Sequence, residues 1–160
     1  MSIEMVLGPM SPMQTLAMLG AYRLERNMFG KPAAILEFHE GEAVEPGFLT
    51  CEGGTVPCVR TNGLLKVRGE HESLYIHNAH RFPDLIPFVL QQSGRGVNCF
   101  VYAVDSDHKQ GKIGEVWDLI PFAHHISKQL PVCSNPRCLQ LGTCSRIYKD
   151  RFIVVCPNCR

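Results

Sequence analysis

Residues 83–107, PDLIPFVLQQSGRGVNCFVYAVDSD, decide the fold class. Pro83 to Gln92 has the length and apolar spacing of a helix. Val97 to Val104 is a strongly apolar run rich in β-branched and aromatic residues, the mark of a strand covered on both faces. Such strands belong to parallel sheets, so the search outward is for more strands alternating with helices. Ile3 to Leu7 reads as a buried strand stopped by Gly8 and Pro9. Met13 to Asn27 reads as a helix, with Leu16, Leu19 and Tyr22 at helical spacing, and Gly30, Lys31 and Pro32 break it. Ala33 to Phe38 and Leu74 to Ile76 read as further strands. Residues 39–63, punctuated by Pro46, Gly47, Gly53, Gly54 and Pro57, read as loop with at most a short strand or hairpin. Gly114 to Gln129 reads as a helix kinked at Pro121. The expectation is an α/β fold: a parallel sheet flanked by helices over residues 1–130, and a cysteine-rich ribbon lobe over residues 131–160.

The chain has 160 residues, enough for one compact domain with a small appended lobe. Its 16 basic and 15 acidic residues leave a net charge of +1, which gives no global reason to expect nucleic acid or an anionic membrane as partner. No apolar run approaches the roughly 20 residues of a membrane span, and MSIEMVLGPM lacks the basic start and apolar core of a signal peptide. A cytoplasmic or nuclear location is therefore expected, and the 8 cysteines point to metal ligation and buried thiols before disulfides.

Two close cysteine pairs, Cys133 with Cys138 in VCSNPRC and Cys156 with Cys159 in VCPNC, flank a stretch able to form a hairpin. Four thiolates in this order fit a structural zinc ribbon with a closed tetrahedral shell. The two-residue spacing of the second pair is the stronger signal. The first pair is looser, and Cys144 is an alternative to one of its members. Cys99, inside an apolar strand, reads as core.

Four segments resemble the type II thymidine kinase family of cells and large DNA viruses. They are MVLGPM (Met5–Met10), FPDLIPF (Phe82–Phe88), GRGVNCFVYAVDSD (Gly94–Asp107) and IGEVWDLIPFAHHISKQLPVC (Ile113–Cys133). The last is the most specific, because that family joins a G-x-x-x-x-L-x-P-x-A helix to its first zinc cysteine, and Gly114, Leu119, Pro121, Ala123 and Cys133 match. The resemblance implies a P-loop kinase-like sheet, a structural zinc ion and a dimer or tetramer.

It also shows what has been replaced. A phosphate loop G-x-x-x-x-G-K-[ST] wraps phosphates with backbone N–H groups, neutralises charge with lysine and holds magnesium with its hydroxyl. Here GPMSPMQT keeps Gly8 and Thr15, but Met13 stands at the second glycine, Gln14 at the lysine, and Pro12 removes a donor. Where the family has its Asp-Glu pair for magnesium and proton abstraction, IHNAHRF offers His77 and Asn78, with His80 and Arg81 following. Asp105 survives from the family's next acidic position, while His108 and Phe152 replace nucleoside-contacting aromatic residues. The resemblance thus implies a kinase fold kept after catalysis was lost. With no catalytic residue left, Gly8, Thr15 and Asp105 are vestigial nucleotide positions. The function expected is binding of another protein, a host factor if the chain is viral, with the loop at residues 39–63 as candidate contact. A nucleoside or nucleotide sensor and a residually active kinase are the alternatives. His77, His80 and His108 could form a metal trio, but solvated histidines in an abandoned cleft are the plainer reading. The basic excess of residues 131–160 reads as a solvated ribbon face without interleaved aromatics, so nucleic acid is not expected.

Overall fold

The structure is a computed structural model and describes residues 1–52 and 54–160. Among the described residues there are nine strands: β1 (Ile3–Gly8), β2 (Ala33–Phe38), β3 (Glu45–Cys51), β4 (Gly54–Thr61), β5 (Ser73–His77), β6 (Asn98–Val104), β7 (His125–Lys128), β8 (Cys144–Tyr148) and β9 (Arg151–Val155). The first seven form one sheet in the order β3-β4-β2-β5-β6-β1-β7. Every pairing in it is parallel except β3 with β4, so the sheet is mixed, with an antiparallel edge strand. Strands β8 and β9 pair antiparallel as a separate hairpin.

Two α-helices cover opposite faces of the sheet. Alternation along the central strands sorts the core into two layers, as the period of 2 in a strand requires. On one face Met5, Leu7, Leu36, Leu74, Ile76, Val101 and Ala103 pack against Leu85, Phe88 and Val89 of α2 (Leu85–Gly94). On the other, Ile35, Tyr75 and Tyr102 meet Met18, Leu19 and Tyr22 of α1 (Pro12–Arg23). Tyr22 meets Tyr75 edge-on and Tyr75 stacks on Phe100, with centroids 5.8 and 4.7 Å apart, both favourable geometries. The α1 helix continues into a π-turn (Leu24–Met28), from which Glu25 accepts hydrogen bonds from Ser73 and Tyr75. Burial, then Glu25, raises the Tyr75 pKa, so the phenol stays protonated as donor.

One expectation is met in part and one is corrected. The segment at residues 39–63, read as loop with room for a short strand or hairpin, holds a hairpin, β3 and β4, that fills most of it. Its prolines are tolerated because β3 lies at the edge of the sheet and the end of β4 holding Pro57 is outside the β2 pairing, which begins at Val59. The helix expected from Gly114 to Gln129 is instead a 3-10 helix (Val116–Phe122) followed by β7. Pro121 cannot donate within a helix, Ala123 turns extended, and the chain then pairs in parallel with Glu4–Leu7 of β1. Among the described residues no helix is long and apolar enough to cross a membrane.

Candidate functional site

The carboxyl ends of β1, β5 and β6 open into a cleft of about 700 Å³, at the edge where α/β sheets hold ligands. The β1–α1 connection is only Pro9, Met10 and Ser11. Ser11 caps α1, its Oγ accepting from Met13 N at 3.2 Å, and Pro12 occupies the first helical turn, where a missing N–H costs nothing. Several backbone donors of this loop are missing or already engaged. Met10 N donates to Ser145 Oγ of β8 at 3.2 Å and Gln14 N to the Ser11 carbonyl at 3.4 Å, while Pro9 and Pro12 have none.

Gln14, Thr15, His77 and Asn78, which the sequence brought together, do line this cleft. Gln14 is buried and its Nε2 donates to the Ala103 carbonyl at 3.1 Å, turning its amide into the sheet. Thr15 Oγ1 lies 3.0 Å from His77 Nε2, and Asn78, in the left-handed region at φ +50°, holds its Nδ2 3.4 Å from His77 Nδ1. His77 Nδ1 is also 3.8 Å from Glu37. Burial, then the neighbouring His80, holds the His77 pKa down to about 4, so this contact joins a neutral ring to a carboxylate and is not a salt bridge near pH 7. His80 accepts from Val104 N through Nδ1 at 3.2 Å, which places its proton on Nε2; burial, then Arg81, holds it down to about 4 as well. Arg81 stacks 4.4 Å above the Phe38 ring and lies 3.7 Å from Glu40.

Gly8 and Asp105 do not line the cleft. A Cβ on Gly8 would fall 2.4 Å from the Gln129 carbonyl oxygen, so the close passage of β1 under the following chain explains the glycine. Asp105 is buried and bound to Lys128 Nζ at 2.8 Å and to Ser106 Oγ at 3.1 Å. His108 is exposed on a turn and takes no part in a histidine trio. His80 and Arg81 line the cleft too, as do Ser11, Val104 and Ile113. The Ser-Pro helix start was the signal that marks Ser11, whereas Ile113 arrives from a loop that no sequence pattern announces.

The two histidines give the fold a pH dependence of definite sign. Each has a folded pKa near 4 against about 6.5 unfolded, so the unfolded chain binds more protons below pH 6.5. Their contribution is complete above that value and is lost as pH falls toward 4. With allowance for partial exposure, the pair is expected to cost about 2 kcal/mol of stability between pH 7 and pH 5. Urea midpoints measured across that range check this, and a His77→Gln, His80→Gln double variant should flatten the profile.

Below the cleft, the Sγ atoms of Cys133, Cys138, Cys156 and Cys159 lie within 4.8 Å of one another. Cys138 and Cys156 are 3.7 Å apart, close to the ~3.8 Å edge of a tetrahedron with ~2.3 Å metal–sulfur bonds. Cys156 N donates to Cys133 Sγ and Asn135 Nδ2 to Cys159 Sγ, both at 3.3 Å. Backbone donation from Asn135 and Cys156 pulls the Cys133 thiol down to about 7, whereas burial and the neighbouring thiols push Cys138 up to about 11 and the adjacent Cys156 thiol raises Cys159. The donor set therefore fits a tetrahedral metal ion. Cys144 points elsewhere, 3.7 Å from Gln110 Oε1. The same lobe reaches the cleft, where Phe152 of β9 forms a wall.

The class of protein is thus a mixed α/β fold with a cleft at the strand ends and a cysteine cluster able to hold a metal. No protein-family model matches the chain. Over 137 residues, 82% of this chain and 74% of the relative, it is 23% identical to a thymidine kinase from Yaba monkey tumor virus (strain VR587). That likeness supports a distant relation to the thymidine kinases.

Proposed function

We propose that the chain is a thymidine kinase-like protein of the P-loop kinase type that no longer transfers phosphate and acts by binding, with zinc as the structural ion of residues 131–160. One observation carries this reading: the loop where phosphates would be cradled lacks a donor at Pro9 and Pro12 and spends those of Met10, Met13 and Gln14 on Ser145 and Ser11, and among the described residues Arg81 is the cleft's one fixed cation, with no lysine, aspartate or glutamate in its lining. Phosphoryl transfer rests on positioning and charge stabilisation, and each missing factor of ten is about 1.4 kcal/mol of barrier. The buried, amide-bonded Gln14 and the neutral His77 supply neither. Another protein is the partner this reading assigns. Met13 and Leu16 along α1, with Leu24, Met28 and Phe29 beyond it, leave a run of apolar side chains in solvent, which is the mark of a contact surface. A second reading is favoured by the cleft itself, whose volume suits a small molecule: a nucleoside held without turnover.

The test pairs a phosphorylation assay with thermal unfolding of the zinc-loaded protein. Labelled phosphate from ATP should not reach thymidine above background, and millimolar MgATP should leave the unfolding midpoint in place, since only a ligand of the native state raises it. Transfer of label to thymidine would overturn the proposal. A midpoint raised by thymidine alone would select the second reading.

A further inference from the structure

The overall net charge of +1 conceals a sharp division. Residues 131–160 carry five basic side chains (Arg137, Arg146, Lys149, Arg151, Arg160) and one acidic residue, leaving 11 basic against 14 acidic on the rest of the chain. The register of the hairpin decides where two of these cations point. Tyr148 pairs directly with Arg151, and Arg146 lies two residues before Tyr148 on the same strand, so Arg146, Tyr148 and Arg151 share the exposed tip of one face. The base of that face, at Cys144, Ile153 and Val155, packs into the lobe core, and Arg146 Nη1 donates to the Cys159 carbonyl at 3.5 Å. The opposite face carries Ile147 and Phe152 and turns toward the cleft. Tyr148 is 51% exposed, and Lys149 Nζ lies 5.4 Å from its ring centroid. The stretch RIYKDR (Arg146–Arg151) therefore interleaves an aromatic platform with cations, which corrects the expectation of a ribbon face without interleaved aromatics.

The turn adds an independent observation. Lys149 and Asp150 are both left-handed, at φ +47° and +60°, the two-residue geometry for which Asn-Gly is the favoured sequence. A lysine held in that conformation at the tip is a local strain that folding alone does not require.

We propose that the exposed tip of the β8–β9 hairpin binds single-stranded nucleic acid, with Tyr148 stacking on a base and Arg146, Lys149 and Arg151 tracking phosphates. Sequence-tolerant binding of this kind needs one exposed π face and a cationic track, and both are present on a hairpin anchored by the cysteine cluster.

The test is fluorescence anisotropy of a labelled oligodeoxycytidylate of about 15 nucleotides, titrated with the zinc-loaded full chain at several salt concentrations. Cytidylate keeps any thymidine preference of the cleft out of the measurement. Saturable binding is expected, with a log–log salt slope of about −2 for three neutralised phosphates. Tyr148→Ser should weaken binding about tenfold and leave the slope unchanged. Lys149→Asn, which suits the turn better than lysine and so preserves the hairpin, should flatten the slope by about 0.7. Metal content of one ion per chain in each variant distinguishes a lost contact from a lost lobe. No binding at low salt would overturn the proposal. So would equally tight binding of polyglutamate with no effect of Tyr148→Ser, which would make the face a site for acidic peptides.

Discussion

Stripping the metal with a zinc chelator is expected to unfold residues 131–160 while the seven-stranded sheet stays folded. The lobe's own core consists of Cys133, Cys144, Val155 and Cys156, with Cys138, Ile153 and Cys159 half-buried around them. A two-stranded hairpin over so few apolar groups is marginal at best in water. An ion held by four thiolates supplies about 10 kcal/mol or more of folding free energy in small zinc units, far beyond what those side chains provide. The sheet has two cores of its own on its faces and needs none of this. Hydrogen exchange should therefore show amides of β8 and β9 losing protection on chelation while those of β6 keep theirs. Cys156→Ser, at a fully buried ligand position, should reproduce the effect and abolish the one-to-one metal content. The consequence reaches the cleft, because Met10 N would lose its Ser145 acceptor and Phe152 would leave the wall. Unchanged protection in β8 and β9 without metal would show that the lobe holds itself.

What the sequence disclosed follows the strength of its local signals. Strands β1, β2, β5 and β6 were legible because each is a bounded apolar run buried on both faces. The β3–β4 hairpin was obscured by Pro46, Gly47, Gly54 and Pro57, residues that usually end strands and are accommodated here at a sheet edge. The error at residues 114–129 has a sharper cause. Val116, Leu119, Ile120, Ala123 and Ile126 keep helical spacing, yet only the first four bury against the α2 face; Ile126 belongs to β7 and is 41% exposed. That one misplacement spoils part of the site as well. Lys128 lies on β7 beside β1, and from there it pairs with Asp105, so the carboxylate read as a vestigial nucleotide position is engaged with a half-exposed lysine. No periodicity in the sequence encodes this, because it depends on which edge of the sheet the last strand joins. The convergence of Gln14, Thr15, His77 and Asn78 was legible because each follows the carboxyl end of its strand, where α/β topology gathers such residues.

Gly114→Ala is expected to destabilise the fold by about 3 kcal/mol, lowering the thermal midpoint by roughly 6–12 °C for a chain of this size. Gly114 enters the 3-10 helix at φ +61°, where a Cβ costs about 1–2 kcal/mol in backbone strain alone. The added methyl would also fall 2.2 Å from the His80 carbonyl oxygen and 3.0 Å from its carbon, and backbone atoms on both sides leave nothing flexible to give way. Relief requires the segment after Ile113 to lift from the end of β5. That motion should break the bond from Val104 N to His80 and shift Trp117, whose indole N–H donates to the Asp105 carbonyl at 2.8 Å. Trp117 is the single tryptophan of the chain, so its emission reports on the displacement directly. Gly20→Ala is the matched control. Gly20 lies within α1 with nothing near its would-be Cβ, and alanine there should stabilise by about 0.5–1 kcal/mol. Opposite signs at the two glycines would establish that Gly114 is fixed by its approach to His80. An unchanged midpoint and emission for Gly114→Ala would mean that the segment after Ile113 moves freely and does not hold the cleft's histidine in place.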